Sequence, residues 1–102
     1  MKSIVIFLLL FSSVIASAAT LNETRTVKRI FSEGTKTGGF YTVEGLPQCL
    51  YQIMYINLET DAGKAQFSML LSAKAANQKI VRIDYSVHST NGQCNLSGIH
   101  VE

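Results

Sequence analysis

Residues 60–88, TDAGKAQFSMLLSAKAANQKIVRIDYSVH, carry a helix signal followed directly by a strand signal, and this change of period decides the fold. Thr60 or Asp61 can cap a helix that runs to about residue 76, because their side-chain oxygens accept hydrogen bonds from otherwise unpaired amides. Asn77 tolerates the left-handed conformation that ends many helices. From residue 79 onward apolar and polar residues alternate, which predicts a strand with one buried face.

Short segments rich in β-branched and aromatic residues surround this helix. They predict strands at residues 24–31, 40–44, 49–58, 79–88 and 94–101. The polar, glycine-rich residues 32–39 predict a hairpin loop. The resulting order, β-β-β-α-β-β, is that of the OB-fold, a five-stranded Greek-key barrel with a helix after its third strand. We therefore expect an α+β domain, mostly β with one helix, that forms an OB-fold-like barrel.

The third predicted strand, residues 49–58 (CLYQIMYINL), is apolar on both of its faces. A strand alternates its side chains between the two faces of a sheet, so only one of these faces can belong to the core of a small domain. We expect a ligand or a partner to cover the other face.

The predicted helix also has more apolar surface than one sheet can cover. At 100° per residue it carries one bulky sector, Phe67, Leu70 and Leu71, and a separate stripe of mostly small residues. The stripe consists of Ala62, Ala65, Met69, Ala73 and Ala76. We interpret the stripe as the contact between copies of the chain in a homo-oligomer.

The N-terminus has the three parts of a signal peptide. Lys2 supplies a positive charge, residues 4–11 and 14–15 are apolar, and Ala16-Ser17-Ala18 fits the small-x-small pattern of a cleavage site. The apolar stretch, about 12 residues, is shorter than the roughly 20 that a membrane-spanning helix requires. We expect residues 1–18 to be removed and residues 19–102 to form one secreted or periplasmic domain.

Two cysteines, Cys49 and Cys94, lie in the part of the chain that would be exported. Disulfides form and persist outside the cytosol, and a domain this small needs such a covalent link. A zinc site or a catalytic thiol would need more ligands than two distant cysteines provide. We therefore predict a disulfide between Cys49 and Cys94, and no metal or other cofactor.

Composition and motifs exclude several classes of function. Nine basic and seven acidic residues nearly balance, and no basic stripe indicates nucleic-acid binding. Ser86, His88 and Asp84 alternate along one strand, so their side chains point in parallel and cannot converge as a catalytic triad. The two histidines, His88 and His100, have no acidic or cysteine cluster around them. We expect a protein that is not an enzyme.

Residues 65–85 resemble the B subunits of the subtilase cytotoxin and typhoid toxin group. The resemblance rests on a helix followed by residues 77–85, NQKIVRIDY, which are close to the TGQ-x-VRI-x-Y run of that group. Weaker likenesses lie at residues 30–34 (IFSEG) and 40–45 (FYTVEG). The resemblance implies an OB-fold subunit of a pentameric ring that binds sialylated glycans and can accompany an enzymatic A subunit.

The same resemblance implies two glycan-binding positions. Tyr85 matches a tyrosine that lines the sugar pocket of these B subunits. Thr24 falls at the position of their sialic-acid-binding serine, so this chain departs from the family there. It is also shorter than the family's chains and lacks their additional cysteines.

Two functions remain as hypotheses. The leading one is an exported, non-enzymatic glycan-binding subunit of a ring, in which several weak sites act together. The alternative is a monomeric periplasmic or secreted protein that binds or inhibits a protein partner.

Overall fold

The structure is a computed structural model that describes residues 17–102. These residues form six strands and one helix. The elements are β1 (Ser17–Leu21), β2 (Val27–Glu33), β3 (Thr37–Thr42), β4 (Met54–Asn57), α1 (Asp61–Ala75), β5 (Ile80–Val87) and β6 (Cys94–Val101). The prediction of an α+β domain, mostly β with one helix, is therefore confirmed.

The six strands form one mixed sheet in the order β1-β5-β6-β4-β3-β2. All neighbours are antiparallel except β4 and β6, which run parallel and are paired only at Met54 with Cys94 and at Tyr55 with Asn95. An isolated antiparallel bridge joins Arg25, just before β2, to Ile80, the first residue of β5. Its two backbone hydrogen bonds measure 2.8 and 2.9 Å. The beginning of β2 is thus held against the beginning of β5.

The core lies between the inner side of this sheet and helix α1. Burial of its apolar side chains is the main stabilising contribution, since each side chain removed from water contributes about 1.5–3 kcal/mol. The largest fully buried residues are Phe40, Leu46, Met54, Ile56, Leu70, Ile80, Ile83 and Cys94.

Helix α1 begins and ends as the sequence predicts. The Thr60 hydroxyl oxygen accepts a hydrogen bond from the Gly63 amide at 2.9 Å, and Asn77 adopts a left-handed φ of 58°. Gly63 is required for packing, because a Cβ at this position would overlap the Asn57 carbonyl group at the end of β4. The helix therefore starts directly against the sheet and packs mainly on β6 and β4.

The predicted disulfide is confirmed, since Cys49 and Cys94 are bonded across 45 positions of the chain. It joins the segment before β4 to the first residue of β6. Because β4 and β6 share so few backbone pairs, the bond strengthens the junction between them.

The predicted third strand differs from the structure. Tyr51 and Gln52 have left-handed φ values of 57° and 58°, and residues Leu50–Gln52 form a short 3₁₀ turn. The strand therefore begins only at Met54. The backbone reversal removes the predicted alternation over residues 49–53, so Ile53 and Met54 are both buried.

Two further boundaries and one register also differ from the sequence expectation. The loop predicted at residues 32–39 is only a turn around Gly34, because β2 extends to Glu33 and β3 begins at Thr37. A register shift between Ile80 and Arg82 places both Ile80 and Ile83 in the core, whereas a regular alternation would not.

Strand β1 was not predicted as a strand. It contains Ser17 and Ala18, the last two residues of the predicted signal peptide, while residues 1–16 lie outside the described part of the chain. With β1 the sheet has six strands instead of five, and the five-stranded OB-fold barrel stays a prediction.

Candidate ligand-binding face

Three aromatic side chains cluster on the side of the sheet that faces away from the core. Phe31 on β2 lies 5.9 Å, centroid to centroid, from both Tyr41 on β3 and Tyr55 on β4. Their strand neighbours Phe40 and Met54 are buried, so alternation directs Tyr41 and Tyr55 to the opposite side. We call this cluster, Phe31, Tyr41 and Tyr55, the aromatic face.

Gly39 makes the aromatic face possible. A Cβ at this position would lie 2.6 Å from Cζ of Phe31 and 2.7 Å from the carbonyl oxygen of Met54. The absence of a side chain lets the Phe31 ring lie across β3 between the two tyrosines. The glycine therefore has a packing role inside a strand, where glycine is otherwise unfavourable.

Arg29 extends the same face. Its guanidinium carbon lies 4.7 Å from the centroid of the Tyr41 ring, which is cation–π geometry. The contact orients the arginine along the sheet and leaves its N–H groups near the aromatic face. A cationic donor for a polar ligand thus lies beside the tyrosine rings.

A first cleft of about 320 Å³ opens at Tyr55. It lies between the β2–β3 turn and the end of the β5–β6 loop, at the place where β4 and β6 are paired for only two residues. Its lining is Lys36, Thr37, Tyr55, Ile56, Asn57, Glu59, Gln93 and Asn95. Amide and hydroxyl groups dominate this surface, and they can both donate and accept hydrogen bonds.

Hydrogen bonds fix several of these polar groups. Gln93 Nε2 donates to Asn95 Oδ1 at 3.2 Å, and Asn57 Oδ1 accepts from the Glu59 amide at 2.8 Å. Lys36 and Glu59 form an exposed ion pair at 3.7 Å. The cleft therefore has an ordered polar wall with little net charge.

The phenol of Tyr55 remains protonated over a wide pH range. Partial burial raises its pKa above 10.0, and the negative charge of Glu33 raises the pKa further. A neutral phenol keeps its O–H donor. Tyr55 can therefore donate a hydrogen bond to a ligand in the first cleft at any physiological pH.

A second cleft of about 340 Å³ lies on the other side of Tyr41. Lys28, Tyr41, Thr42, Val43, Glu44, Gly45, Tyr51 and Gln52 line it. The left-handed turn carries Tyr51 to this cleft, and 74% of that residue is exposed. Two successive non-glycine residues in this conformation cost on the order of 1–3 kcal/mol each, and such strain is concentrated at functional sites.

The wall of the second cleft is tied to the residue just before β2 through Glu44. Its carboxylate accepts hydrogen bonds from the Thr26 amide at 2.7 Å and the Thr26 hydroxyl at 2.8 Å. Although burial raises the pKa of Glu44, these hydrogen bonds outweigh it and hold the pKa below 4.5. Glu44 is thus ionised and already engaged, which leaves Lys28 as the cation of this cleft.

A different polar cluster, the Asp84 network, lies on the outer side of β5. Thr20 on β1 donates to Asp84 Oδ1 at 2.9 Å, and Arg82 Nε donates to the same oxygen at 3.1 Å. The hydrogen bond from Thr20 has the larger effect and that from Arg82 the smaller, and together they lower the pKa of Asp84 below 3.8. On the neighbouring strand, Gly98 leaves room for the carboxylate, since a Cβ there would lie 2.9 Å from Asp84 Oδ2.

The two glycan-binding residues predicted from the resemblance lie apart from these clefts. Tyr85 is 7% exposed and belongs to the core cluster, and its hydroxyl accepts a hydrogen bond from Gln48 Nε2 at 3.0 Å. Thr24 is exposed in the segment between β1 and β2. Neither residue lines the first or the second cleft. A sugar could reach little of the Tyr85 ring.

The helical stripe predicted as an oligomer contact is divided between the core and the surface. Ala73 is completely buried in its own chain, so it cannot contact a second copy. Ala62, Ala65 and Ala76 are exposed, and Met69 is 39% exposed. Leu71, which the sequence assigns to the bulky sector, is 48% exposed.

The histidines do not form a pair. His100 lies opposite Arg82 in the β5–β6 register, and Nδ1 of His88 accepts a hydrogen bond from the Thr90 amide at 3.2 Å. Among residues 17–102 no group of three or more His, Cys, Asp or Glu side chains could hold a metal ion.

Sequence reasoning missed Arg29, Phe31 and Gly39 as contributors to a site. The available signal was the two-sided apolar character of residues 49–58, which indicates a covered outer face but does not show which neighbouring side chains share it.

No helix in residues 17–102 is long and apolar enough to cross a membrane. Searches against protein families, curated proteins and solved structures found no match for the chain.

Proposed function

We propose that the protein is an exported, non-enzymatic glycan-binding protein that holds its ligand on the aromatic face and in the first cleft. The observation that carries the proposal is the position of Tyr55. Its ring borders a cleft with walls of amide and hydroxyl groups, and it contacts Phe31 of the aromatic face. A sugar offers apolar C–H surfaces to such rings and hydroxyl groups to such walls.

The charge of the site favours a neutral or weakly acidic sugar. Lys36 is paired with Glu59, so the first cleft has little net charge. Arg29 beside Tyr41 is the nearest cation of the aromatic face and would pair with a carboxylate substituent, such as that of a sialylated glycan. A strongly anionic polymer would find too few free cations here.

The strand pairing supports an OB-fold for the domain. A barrel of this type needs a parallel contact between its third and last strands, as β4 and β6 make, and a closing contact between its first and fourth strands. β1, Arg25 and β2 together serve as one long, interrupted first strand that pairs with β5 at one end and β3 at the other. OB-folds bind oligosaccharides on their second and third strands, which here are β3 and β4.

The subunit arrangement belongs to the same proposal. Copies pack through the exposed part of the helical stripe, Ala62, Ala65, Met69 and Ala76, in a ring of the kind that toxin B subunits form. Several weak sites on one ring then bind a multivalent surface much more strongly than one site does. An enzymatic A subunit follows from the same resemblance, and a periplasmic or extracellular location follows from the signal-peptide pattern of residues 1–18.

A glycan array with the exported, oxidised protein tests the function directly. We expect binding to a defined group of glycans, and we expect Tyr55→Ala to reduce the affinity at least tenfold. Leu71→Ala is the matched control, because it also removes an exposed apolar side chain but lies on α1 outside both clefts. Array binding that survives in Tyr55→Ala would show that the aromatic face is not the site.

Light scattering on the same sample tests the ring. A monomer at micromolar concentration would remove the oligomer from the proposal. A monomer without any array signal would instead favour the alternative function, binding or inhibition of a protein partner.

A further inference from the structure

The polar wall of the first cleft is built from side chains that three strands place on one surface. Thr37 of β3 lies opposite Asn57 of β4 in the antiparallel register. Tyr55 of β4 lies opposite Asn95 of β6 in the short parallel pair. Because Cys94 is fully buried, alternation directs Asn95 to the outer side of the sheet, where Tyr55 also lies. The strand pairing therefore fixes the positions of these groups relative to one another.

Asn57 offers hydrogen-bond donors to the first cleft. Its Oδ1 accepts a hydrogen bond from the Glu59 amide at 2.8 Å, which fixes the orientation of the side-chain amide. A carboxamide has one oxygen acceptor and one NH₂ group with two N–H donors. Since the oxygen is engaged by its own chain, the NH₂ group of Asn57 is the part that remains for a ligand.

Asn95 offers donors in the same way. Gln93 Nε2 donates to Asn95 Oδ1 at 3.2 Å, so the NH₂ group of Asn95 remains for a ligand, and the oxygen of Gln93 remains as an acceptor. The protonated phenol of Tyr55 adds a further donor to the same cleft. The wall therefore offers more donors than acceptors, and it suits a ligand group that mainly accepts hydrogen bonds.

The charges around the cleft favour a neutral acceptor. Lys36 and Glu59 both line the cleft and form an ion pair at 3.7 Å, and Glu33 adds negative charge near the phenol of Tyr55. An anionic ligand would lie in the field of these two carboxylates. An amide carbonyl is a strong acceptor without a net charge, whereas a sugar hydroxyl both donates and accepts. The first cleft therefore suits an amide carbonyl better than a carboxylate or a hydroxyl group.

The size of the first cleft favours a single sugar unit. Its volume of about 320 Å³ lies at the small end of ligand sites, which measure roughly 300–1,000 Å³. An acetamido sugar carries an amide carbonyl, an N–H group that the oxygen of Gln93 can accept, and a methyl group that can contact the ring of Tyr55. An extended peptide repeats its amides along a length that this cleft does not provide.

We propose that the first cleft binds an N-acetylated amino sugar and recognises it by its acetamido group. This inference rests on the glycan-binding function proposed above and specifies its ligand class. The NH₂ groups of Asn57 and Asn95 donate to the carbonyl oxygen of the acetamido group. The oxygen of Gln93 accepts from its N–H group, and its methyl group contacts the ring of Tyr55.

Ligand titrations followed by NMR, which detects weak binding, test the inference with the exported, oxidised protein. The probes are N-acetylglucosamine and N-acetylgalactosamine, their parent sugars glucose and galactose, the unacetylated glucosamine, and glucuronic acid. We expect at least one N-acetylated sugar to bind at least tenfold more tightly than its parent sugar, glucosamine or glucuronic acid. N-acetylglycine methylamide, an amide without a sugar ring, should also bind more weakly.

Asn57→Asp and Asn95→Asp test the donors. Each variant keeps the size of the side chain and an oxygen for the internal hydrogen bond, but it replaces the NH₂ group with an acceptor. We expect either change to reduce the affinity for the N-acetylated sugar at least tenfold. Asn22→Asp is the matched control, since it makes the same exchange at an exposed position between β1 and β2, outside both clefts. Circular dichroism checks that each variant is folded.

The outcomes separate this inference from the proposed function. Equal affinity for N-acetylated and parent sugars, a preference for glucuronic acid, or unchanged affinity in both cleft variants would overturn the acetamido site and leave glycan binding in place. Array binding confined to glycans without an acetamido sugar would do the same. Tighter binding of N-acetylglycine methylamide than of any sugar would indicate a peptide ligand and overturn both proposals. If neither these probes nor the array gives binding, both proposals fall.

Discussion

The aromatic face and the Asp84 network lie on the outer side of the same sheet, yet they differ in how far their polar groups are already paired. In the Asp84 network, Thr20 and Arg82 donate to one carboxylate oxygen and complete a local cluster. On the aromatic face, polar clefts flank half-buried rings, and the amide and hydroxyl groups of these clefts are only partly paired with one another. The comparison teaches that polar groups paired with one another join strands, whereas polar groups without such partners are available to a ligand.

Removal of the disulfide should have the largest effect on the two regions, and it should affect the side of the second cleft more than the Asp84 network. In the chain-entropy model, a loop closed across 45 positions stabilises the domain by about 4 kcal/mol, so Cys49→Ser with Cys94→Ser should lower the free energy of unfolding by about that amount. Urea denaturation measures the change. Hydrogen exchange should accelerate first in residues 46–53, beside the second cleft, and later in β1 and β5. Equal acceleration on both sides would show that the turn at Tyr51 is not held by this bond.

Substitution of Gly39 should damage the aromatic face and leave the Asp84 network intact. Gly39→Ala places a methyl group against Phe31 and the Met54 carbonyl, and such overpacking costs about 1–3 kcal/mol. Phe31 must move, so we expect glycan affinity to fall at least tenfold. Gly98→Ala is the matched control, because its methyl group would meet Asp84 instead. If both variants lose affinity equally, the effect comes from general destabilisation.

Tyr85→Phe separates the core from the clefts. It removes the hydrogen bond from Gln48, which should lower the free energy of unfolding by about 1 kcal/mol. Because Tyr85 is buried and lies outside both clefts, we expect glycan affinity to stay unchanged. A large loss of affinity with little loss of stability would indicate that Tyr85 contacts the glycan, as the family resemblance implies.

Asp84→Asn should have the smallest effect, visible as a change in acid sensitivity. The carboxylate has a pKa below its usual 3.8 in the folded state, so its contribution to stability is present above pH 3.8 and is lost as the pH falls through the folded-state pKa. Thermal unfolding between pH 7 and pH 2 should show that the advantage of the unaltered protein over the variant shrinks as the pH falls below 3.8. An advantage that stays constant over this range would mean that charge is not the cause.

The sequence predicts those parts of the fold whose signals are local. Thr60 and Asn77 mark the two ends of the helix, and β6 begins and ends where its pattern indicates. The disulfide also follows from the cysteine count together with the expected export. In each case a few neighbouring residues, or the redox environment, determine the structure.

The features that the sequence does not predict depend on contacts between distant segments. Tyr51 and Gln52 are ordinary strand residues by type. The bond of Cys49, the hydrogen bond from the Leu50 amide to the Gly92 carbonyl oxygen and the acceptor role of Gln52 hold them in the left-handed turn. Gly39 looks like part of a loop until Phe31 is placed above it. The sequence indicated an occupied outer face on the third strand, but it directed attention to Tyr85, which alternates with Ile83 into the core.

The short parallel junction of β4 with β6 also bears on how the protein is synthesised. β6 is synthesised after the other five strands. Met54 of β4 therefore cannot pair with Cys94 until some forty further residues have been added to the chain. Pairings between such distant segments form slowly, because the intervening chain first has to be ordered. Until then the wall that Gln93 and Asn95 give the first cleft is missing. A chain shortened before β6 would therefore keep its tyrosines but lack one wall of the first cleft.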